Sequence, residues 1–223
     1  MIHIVNYGLG NVQAFLNMYY RLGIEARLAS TADELAEARH IILPGVGAFD
    51  RAIRLLDESG MRPVLEQKVR EEKVPIIGIC VGMQMLADGS DEGELPGLGW
   101  IPAPVRSYSS KPLSAELPLP HMGWNDVRPT GEAPIMRALK DDSRFYFLHS
   151  YYFECSDPKH CLATASYGDA FACVVSSENV IGVQFHPEKS HHWGTQLLKN
   201  FAEIEDVATK DFTMPAGASG RPG

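Results

Sequence analysis

The chain has 223 residues, of which 45% are hydrophobic and 22% charged, and its formal net charge at pH 7 is −8. This composition is typical of one large globular domain, and it excludes the surplus of Lys and Arg on which non-specific nucleic-acid binding depends. The start, "MIHIVNYGLGNV", has no basic leader, and no window approaches the roughly 18 apolar residues that span a bilayer. We therefore expect a cytoplasmic protein with neither a nucleic acid nor a membrane as partner.

The amino-terminal part alternates apolar strands with amphipathic helices. A strand is predicted at 2–6 and, after the turn "YGLGN", a helix at 11–22 with apolar residues at helical spacing. The next predicted elements are a strand at 24–28, a polar helix at 31–38, the strand "HIIL" at 40–43, helices within 50–72 and the strand "PIIGI" at 75–79. Strands separated by helices predict a parallel sheet with helices on both faces.

From about residue 98 to 186, short strand-like runs replace this alternation and predict an antiparallel or mixed sheet. The runs are "HMGWNDV", "RFYFLHSYYF", "CLATASY", "FACVVSS" and "VIGVQF", and a helix is predicted near 191–204. The tail "TMPAGASGRPG" is rich in Gly, Pro, Ala and Ser, which predicts disorder. We assign residues 1–206 to one α/β domain and residues 207–223 to a disordered tail.

Metal and redox motifs are absent from the cysteine pattern. None of the four cysteines belongs to a C-x-x-C pair, which favours free thiols in a reducing compartment. The adjacent His191 and His192 stand at the start of a predicted surface helix without a matching Cys or carboxylate pattern. We expect no metal and no cofactor. The cysteines are Cys80, Cys155, Cys161 and Cys173.

The stretch "IIGICVGMQ" predicts a nucleophile. A buried strand that ends at Cys80 and turns at once into a helix puts the thiol at a helix N-terminus, which stabilises a thiolate. Gly78 and Gly82 permit a sharp, strained turn similar to the G-x-S-x-G elbow, and the N–H of Val81 would then face an oxyanion. The alternative is a buried cysteine that packs as a small hydrophobic residue beside glycines.

The stretch "GVQFHPEKS" supplies a base for that nucleophile. In an extended segment His186 and Glu188 project to the same side, so the carboxylate can orient the imidazole, and Pro187 stiffens the segment. Cys80 as nucleophile, His186 as acid and base and Glu188 as orienting group would form a triad. A solvated histidine followed by a helix-capping glutamate is the alternative.

The stretch "PGVGAF" at 44–49 offers a second oxyanion donor. It follows the strand "HIIL", so its glycines also lie at the carboxyl edge of the predicted sheet. A backbone N–H near Val46 is the candidate donor. The alternative is an ordinary turn between a strand and a helix.

In this order and spacing, the three motifs resemble the class I glutamine amidotransferases, which hydrolyse glutamine through a cysteine thioester and release ammonia. The stretches "YGLGNVQAF", "LPLPHMGWNDV" and "FYFLHSYYF" make the chain similar, within that family, to the glutaminase subunits of imidazole glycerol phosphate synthases. The resemblance covers about residues 1–204. It implies a flavodoxin-like sheet, with Cys80, His186 and Glu188 as the triad.

The resemblance also implies binding roles outside the triad. Gln84, Gly45 and Gly47 match positions associated with glutamine and the oxyanion, beside the donors expected at Val46 and Val81. Five positions match the surface that faces a barrel-shaped cyclase partner, although core packing is the alternative for the two aromatic residues among them. They are Asn11, Trp124, Asn125, Tyr146 and Lys189.

The ammonia acceptor is expected on a second polypeptide. One glutaminase domain occupies nearly the whole chain, and no G-x-G-x-x-G, P-loop or run of eight strand–helix units is present. The resemblance implies a heterodimer with a cyclase that makes imidazole glycerol phosphate in histidine biosynthesis. Three alternatives stay open: ammonia supply for amidation of a surface-polysaccharide sugar, a catalytically weak scaffolding subunit, and another cysteine hydrolase of similar fold.

Overall fold

The computed structural model describes residues 1–110, 117–140 and 142–204. The tail predicted at 207–223, and with it the domain boundary at 206, lies outside the described residues. Across the described ranges, no helix combines the length and apolar character needed to cross a bilayer.

Strands and helices alternate in the first part of the chain. The strands are β1 (Ile2–Val5), β2 (Ala26–Ala29), β3 (His40–Gly45) and β4 (Ile76–Cys80). The α-helices are α1 (Val12–Leu22), α2 (Ala32–Ala36), α3 (Phe49–Glu58), α4 (Arg62–Glu66) and α5 (Val81–Gln84), with a π-helical turn at Gln67–Glu71. The helical region predicted at 50–72 is divided because Gly60 adopts a φ of 69° after α3 and Pro63 stands in the first turn of α4.

Short strands dominate the second part, as the sequence predicts. They are β5 (Gly89–Ser90), β6 (Pro104–Ser107), β7 (His121–Pro129), β8 (Ser143–His149), β9 (Tyr151–Phe153), β10 (Cys161–Tyr167), β11 (Asp169–Ser177) and β12 (Val180–Val183). The helix α6 (His191–Ala202) follows, and 3-10 turns lie at Tyr108–Ser110, Pro134–Met136, Pro158–His160 and Pro187–Lys189.

The sheet has a parallel centre and an antiparallel flank. Its order is β2-β1-β3-β4-β12-β11-β10-β7-β8. Neighbouring strands from β2 to β12 run parallel, and those from β12 to β8 run antiparallel. Because β12 is parallel to β4, the segment that follows β12 leaves the sheet at the same edge as Cys80. The mixed α/β sheet expected from the sequence is confirmed.

Local signals set the bounds of α1. The side chain of Asn11 accepts a hydrogen bond from the N–H of Ala14 at 3.3 Å, and Gly23 ends the helix with a φ of 67°. Phe15 and Tyr19 are buried between these caps, which fixes the helix on the sheet. Asn11 therefore has a capping role within the chain, and its contact with a partner stays a prediction.

Three glycines bring α5 into direct contact with the ends of β3 and β4. A Cβ on Gly45 would lie 2.4 Å from the backbone N of Gly82, and a Cβ on Gly78 would lie 2.5 Å from the carbonyl O of Gly82. A Cβ on Gly82 would lie 2.0 Å from the O of Leu43. These distances are to backbone atoms, which have little room to move, so the close approach requires glycine.

We expect Gly82→Ala to lower the free energy of unfolding by about 3 kcal/mol, because the new methyl group collides with the backbone of β3. Gly89→Ala is the matched control, since a Cβ added there would have no atom within 4 Å, and its effect should stay within about 0.5 kcal/mol. Chemical denaturation measures both. Equal stability of the two variants would contradict this packing.

Candidate active site

Cys80 occupies a strained turn at the end of β4. Its φ of 56° and ψ of −112° lie in a region that residues with side chains rarely adopt. Such strain costs about 1–3 kcal/mol and persists where the surrounding packing determines the backbone. The expected elbow is therefore present. The helix after it has only the four residues of α5, however, so the dipole support predicted from the sequence is limited to one turn.

His186 and Glu188 form a buried pair. The Nδ1 of His186 lies 2.8 Å from the Oε1 of Glu188, and both side chains are 4% exposed. The prediction that this segment is extended is wrong. Pro187–Lys189 forms a 3-10 turn, in which the N–H of Lys189 donates to the carbonyl of His186. Ser190 Oγ donates to the same carbonyl at 2.6 Å. The two side chains thus meet across a turn instead of sharing one face of a strand.

The electrostatics of this pair favour an imidazolium ion. Burial by itself lowers the pKa of His186, but the hydrogen bonds and charges of Cys80 and Glu188 outweigh it and raise the pKa to about 9. With Nδ1 bonded to Glu188, Nε2 is the ring nitrogen that remains for Cys80. At neutral pH the ring therefore holds a proton that it can donate on the side of the sulfur.

A cavity of about 370 Å³ opens beside the thiol. Its lining includes four of the five positions predicted for glutamine and the oxyanion; the fifth, Gly45, is buried beside Cys80 on the neighbouring strand. The lining residues are Val46, Gly47, Cys80, Val81, Gln84, Glu92, Pro120, Leu148, His149, Ser150, Tyr151, His186 and Lys189. The structure thus brings the three sequence motifs to one cavity.

Glu92 is a lining residue that the sequence did not single out. Its Oε2 accepts a hydrogen bond from the N–H of Phe49 at 2.9 Å. Burial raises the pKa of Glu92, against the lowering effect of that hydrogen bond. The residue lies in the polar stretch "SDEGELPG", which has the pattern of an ordinary loop, so only tertiary structure connects it with Cys80.

The "YGLGN" turn packs against the "PGVG" loop. This contact is a second one that sequence reasoning missed. The hydroxyl of Tyr7 donates to the carbonyl of Pro44 at 2.7 Å, and burial raises the pKa of Tyr7 strongly. Gly10, with a φ of 89°, lies so close that a Cβ would approach the Cβ of Pro44 to 2.6 Å. The loop that carries Val46 and Gly47 is therefore anchored at its first residue.

A buried pair of histidines, His121 and His149, stands beside the cavity, and His149 lines it. The carbonyl of Tyr151 can only accept, so the Nδ1 of His149, 2.8 Å away, carries the proton. His149 Nε2 then accepts from His121 Nδ1 at 3.0 Å, and His121 Nε2 accepts from Asn125 Nδ2 at 3.2 Å. Asn125 Nδ2 also donates to the carbonyl of Ser166 at 2.8 Å. The amide of Asn125 is thus committed within the chain, and its contact with a partner stays a prediction.

The other residues predicted to face a partner form an aromatic cluster at the surface. Trp124 is 40% exposed, which excludes the core-packing alternative for it. It stacks on His191 with a centroid distance of 5.1 Å and meets Tyr146 edge-on at 6.2 Å. The Nζ of Lys189 lies 5.6 Å from the centroid of Tyr146. Because Lys189 also lines the cavity, the cluster connects the exposed face of β7 with the site.

Metal-ligand clusters of three or more His, Cys, Asp or Glu side chains do not occur within the described residues. The four cysteines are free thiols. His191 and His192, the candidate pair in the sequence, instead lie against Trp124 and Trp193.

The sequence matches the family described as glutamine amidotransferase class-I over residues 3–204. The chain belongs to the class I glutamine amidotransferases, as the resemblance of its motifs indicated. It is 60% identical over 204 residues to the imidazole glycerol phosphate synthase subunit HisH of Bdellovibrio bacteriovorus, covering 92% of this chain and 100% of that protein. The subunit of the same name from Leptospira borgpetersenii is 47% identical with the same coverage.

Solved structures share the fold at low sequence identity. A crystal structure described as a glutamine amidotransferase has a TM-score of 0.69 and 22% identity, and the match covers 91% of this chain and 97% of that one. The glutaminase domain of CTPS from Trypanosoma brucei has a TM-score of 0.62 and 16% identity, with coverage of 98% and 97%. The class I glutamine amidotransferase fold expected from the motifs is confirmed.

The histidine pair makes the folded state sensitive to acid. Burial lowers the pKa of His121 from 6.5 to about 4 and that of His149 from 6.5 to about 3. Below pH 6.5 the unfolded chain therefore binds more protons at these positions than the folded protein does. The stability that the neutral pair contributes is complete above pH 6.5 and is lost as the pH falls toward 4.

We expect His121→Gln to reduce this loss, because one of the two titrating rings is removed while an amide can still donate to His149. Urea denaturation between neutral pH and about pH 4.5 gives the slope of the free energy of unfolding for each protein. The exposed His192→Gln is the control and should keep the wild-type slope. His3, whose pKa burial also lowers to about 4, is present in all three proteins and cancels. A slope in His121→Gln equal to that of the wild type would contradict the assignment of this acid sensitivity to the histidine pair.

Proposed function

We propose that the chain is the glutaminase subunit of an imidazole glycerol phosphate synthase, which hydrolyses glutamine and passes ammonia to a cyclase subunit in histidine biosynthesis. The observation that carries this proposal is that Cys80 and His186 meet at one cavity while the buried Glu188 bonds to the Nδ1 of His186. Identity of 60% with a protein named as such a subunit supports the pathway. No observation favours amidation of a polysaccharide sugar, and the intact triad argues against a purely scaffolding role.

The triad can carry out the reaction in two stages. The thiolate of Cys80 attacks the carboxamide carbon, and backbone N–H groups at Val46 or Gly47 and at Val81 stabilise the oxyanion. The imidazolium of His186 protonates the departing nitrogen, so that the C–N bond breaks and a thioester remains. Water then attacks the thioester while His186 takes its proton, which releases glutamate and regenerates the thiolate. None of these steps requires a cofactor.

The cavity offers complementary groups for the amino-acid end of glutamine. Glu92 has a carboxylate at the cavity, and an α-ammonium group would offset the burial that raises the pKa of this residue. Gln84 supplies an amide at the same cavity, and the backbone at Ser150 and Tyr151 adds further polar groups. A volume of about 370 Å³ accommodates one small amino acid.

The cyclase partner is proposed to cover the mouth of the cavity. Exposed apolar side chains border that mouth, because Val46 lines the cavity and Leu119 precedes the lining residue Pro120. Met122 and Trp124, which are 62% and 40% exposed, project from one face of β7. Exposed apolar patches of this kind mark protein interfaces. Asn11, Asn125, Tyr146 and Lys189 complete the proposed heterodimer contact.

We also propose that residues 1–206 form the glutaminase domain and that the protein acts in the cytoplasm. Four free thiols fit a reducing compartment, and the match to the amidotransferase family ends at residue 204.

We expect Cys80→Ala to lower glutamine-dependent synthesis at least a thousandfold, as removal of a nucleophile does in other triads, while the partner still uses added ammonium salt. His186→Ala should show the same split, and Glu188→Gln a smaller loss, of about ten- to a hundredfold. Coupled assays with the cyclase subunit measure both reactions, and Cys155→Ala is the control. Normal glutamine-dependent activity in Cys80→Ala would refute the triad.

We expect glutamine hydrolysis to be slow for the chain alone and to rise when the partner binds an acceptor analogue. A coupling of about 1–3 kcal/mol corresponds to roughly 5- to 150-fold in an equilibrium, and rates can change by more. Trp124→Ala and Lys189→Ala should weaken this response, whereas Tyr20→Ala, which removes an exposed aromatic residue from α1, should not. Ammonia release is measured with each combination of components. Equal rates in every combination would favour a free-standing amidohydrolase.

A further inference from the structure

Gln184 is a buried polar residue for which the proposed reaction has no role. Its relative exposure is 0%, and it directly follows β12. Val183 pairs with Ile79 across the parallel strands. The residues that follow them, Gln184 and Cys80, therefore lie side by side. The N–H of Gln184 donates to the carbonyl of Cys173 at 2.9 Å, which fixes its backbone.

The orientation of the Gln184 amide follows from its neighbours. Gln84 Nε2 lies 3.5 Å from the carbonyl of Tyr151, which can only accept, so the nitrogen of Gln84 is on that side. The same nitrogen donates to Gln184 Oε1 at 3.1 Å. Gln184 Nε2 is then directed toward the Sγ of Cys80, at 3.9 Å. Reversing the Gln184 amide would place two N–H donors against each other and an oxygen against the sulfur.

This arrangement also determines what Gln84 can offer to a ligand. Its two amide hydrogens go to the carbonyl of Tyr151 and to Gln184 Oε1. The group that remains is the carbonyl oxygen, which can only accept a hydrogen bond. Glutamine carries N–H donors at its carboxamide and at its α-ammonium group, whereas glutamate has lost those of the carboxamide.

We propose that Gln184 is a positioning residue that holds the Cys80 sulfur with its N–H and keeps Gln84 oriented as an acceptor for an N–H group of glutamine. This inference rests on the proposed glutaminase function. One amide thus links the nucleophile to the substrate-binding residue. Because it is buried, water does not compete for either hydrogen bond.

The test uses the chain in complex with its cyclase subunit. The variants are Gln184→Met, which keeps the length of the side chain without hydrogen bonds, and Gln184→Glu, which keeps an acceptor for Gln84. Gln84→Met and the double variant complete a mutant cycle, and Gln196→Met on α6 is the matched control. Two quantities are measured: the KM for glutamine, and the rate at which iodoacetamide, which does not need the glutamine pocket, alkylates Cys80.

We expect Gln184→Met to raise the KM about tenfold, as the loss of one oriented hydrogen bond does, and to slow alkylation of Cys80. Gln184→Glu is compared with wild type at several pH values up to about 9, because burial raises the pKa of the new carboxyl group. Once that group is ionised, the KM should stay within about twofold of wild type while alkylation slows about tenfold, because a carboxylate accepts from Gln84 but cannot donate to sulfur. In the Gln84→Met background, Gln184→Met should not raise the KM further.

A merely structural role predicts a different pattern, in which the KM effects of Gln84 and Gln184 add and Gln184→Glu is at least as harmful to the KM as Gln184→Met. That pattern, or wild-type KM and alkylation in both Gln184 variants, would overturn the proposal. If Gln184→Met does not fold, alkylation of a folded Gln184→Glu that equals wild type at every pH up to about 9 overturns the proposal by itself. Failure of the wild-type complex to hydrolyse glutamine would instead refute the proposed function, because every variant is compared with that activity.

Discussion

The parallel pairing of β4 with β12 is the interaction on which the site depends. It joins Ile76–Cys80 to Val180–Val183, segments far apart in the chain, and it ends both strands at the same level. On the other side of β4, Gly45 of β3 stands opposite Cys80. The nucleophile, the oxyanion loop and the segment that carries the base are thereby fixed by backbone hydrogen bonds in a buried sheet, where water does not compete.

This geometry forces several unfavourable features into a small volume. Cys80 has a positive φ, glycine backbones are in contact at α5, and the ionisable pair of His186 and Glu188 is buried. A buried charge is stable only with a close counter-charge and hydrogen bonds, so each partner of that pair depends on the other. The apolar core on both sides of the sheet supplies the free energy that holds these features in place.

Periodicity explains which parts of the molecule were predictable. Strand and helix repeats gave the order of elements, and glycines on both sides of Cys80 indicated the elbow, because these signals are local. The run "VIGVQF" indicated a strand but not that it would lie parallel to β4, since hydrophobic pattern carries no information about the pairing partner. Glu92, Tyr7 and Gln184 were missed for the same reason: their contacts join segments distant in sequence.

The histidine pair has a further consequence for the movement of protons. Its hydrogen bonds all point the same way, from the amide of Asn125 through His121 and His149 to the carbonyl of Tyr151. A proton can hop along such a chain only if one end delivers a proton and the other receives it, and neither an amide nor a peptide carbonyl does so near neutral pH. The pair therefore relays no proton to the cavity, which agrees with the imidazolium of His186 as the proton donor of the proposed reaction.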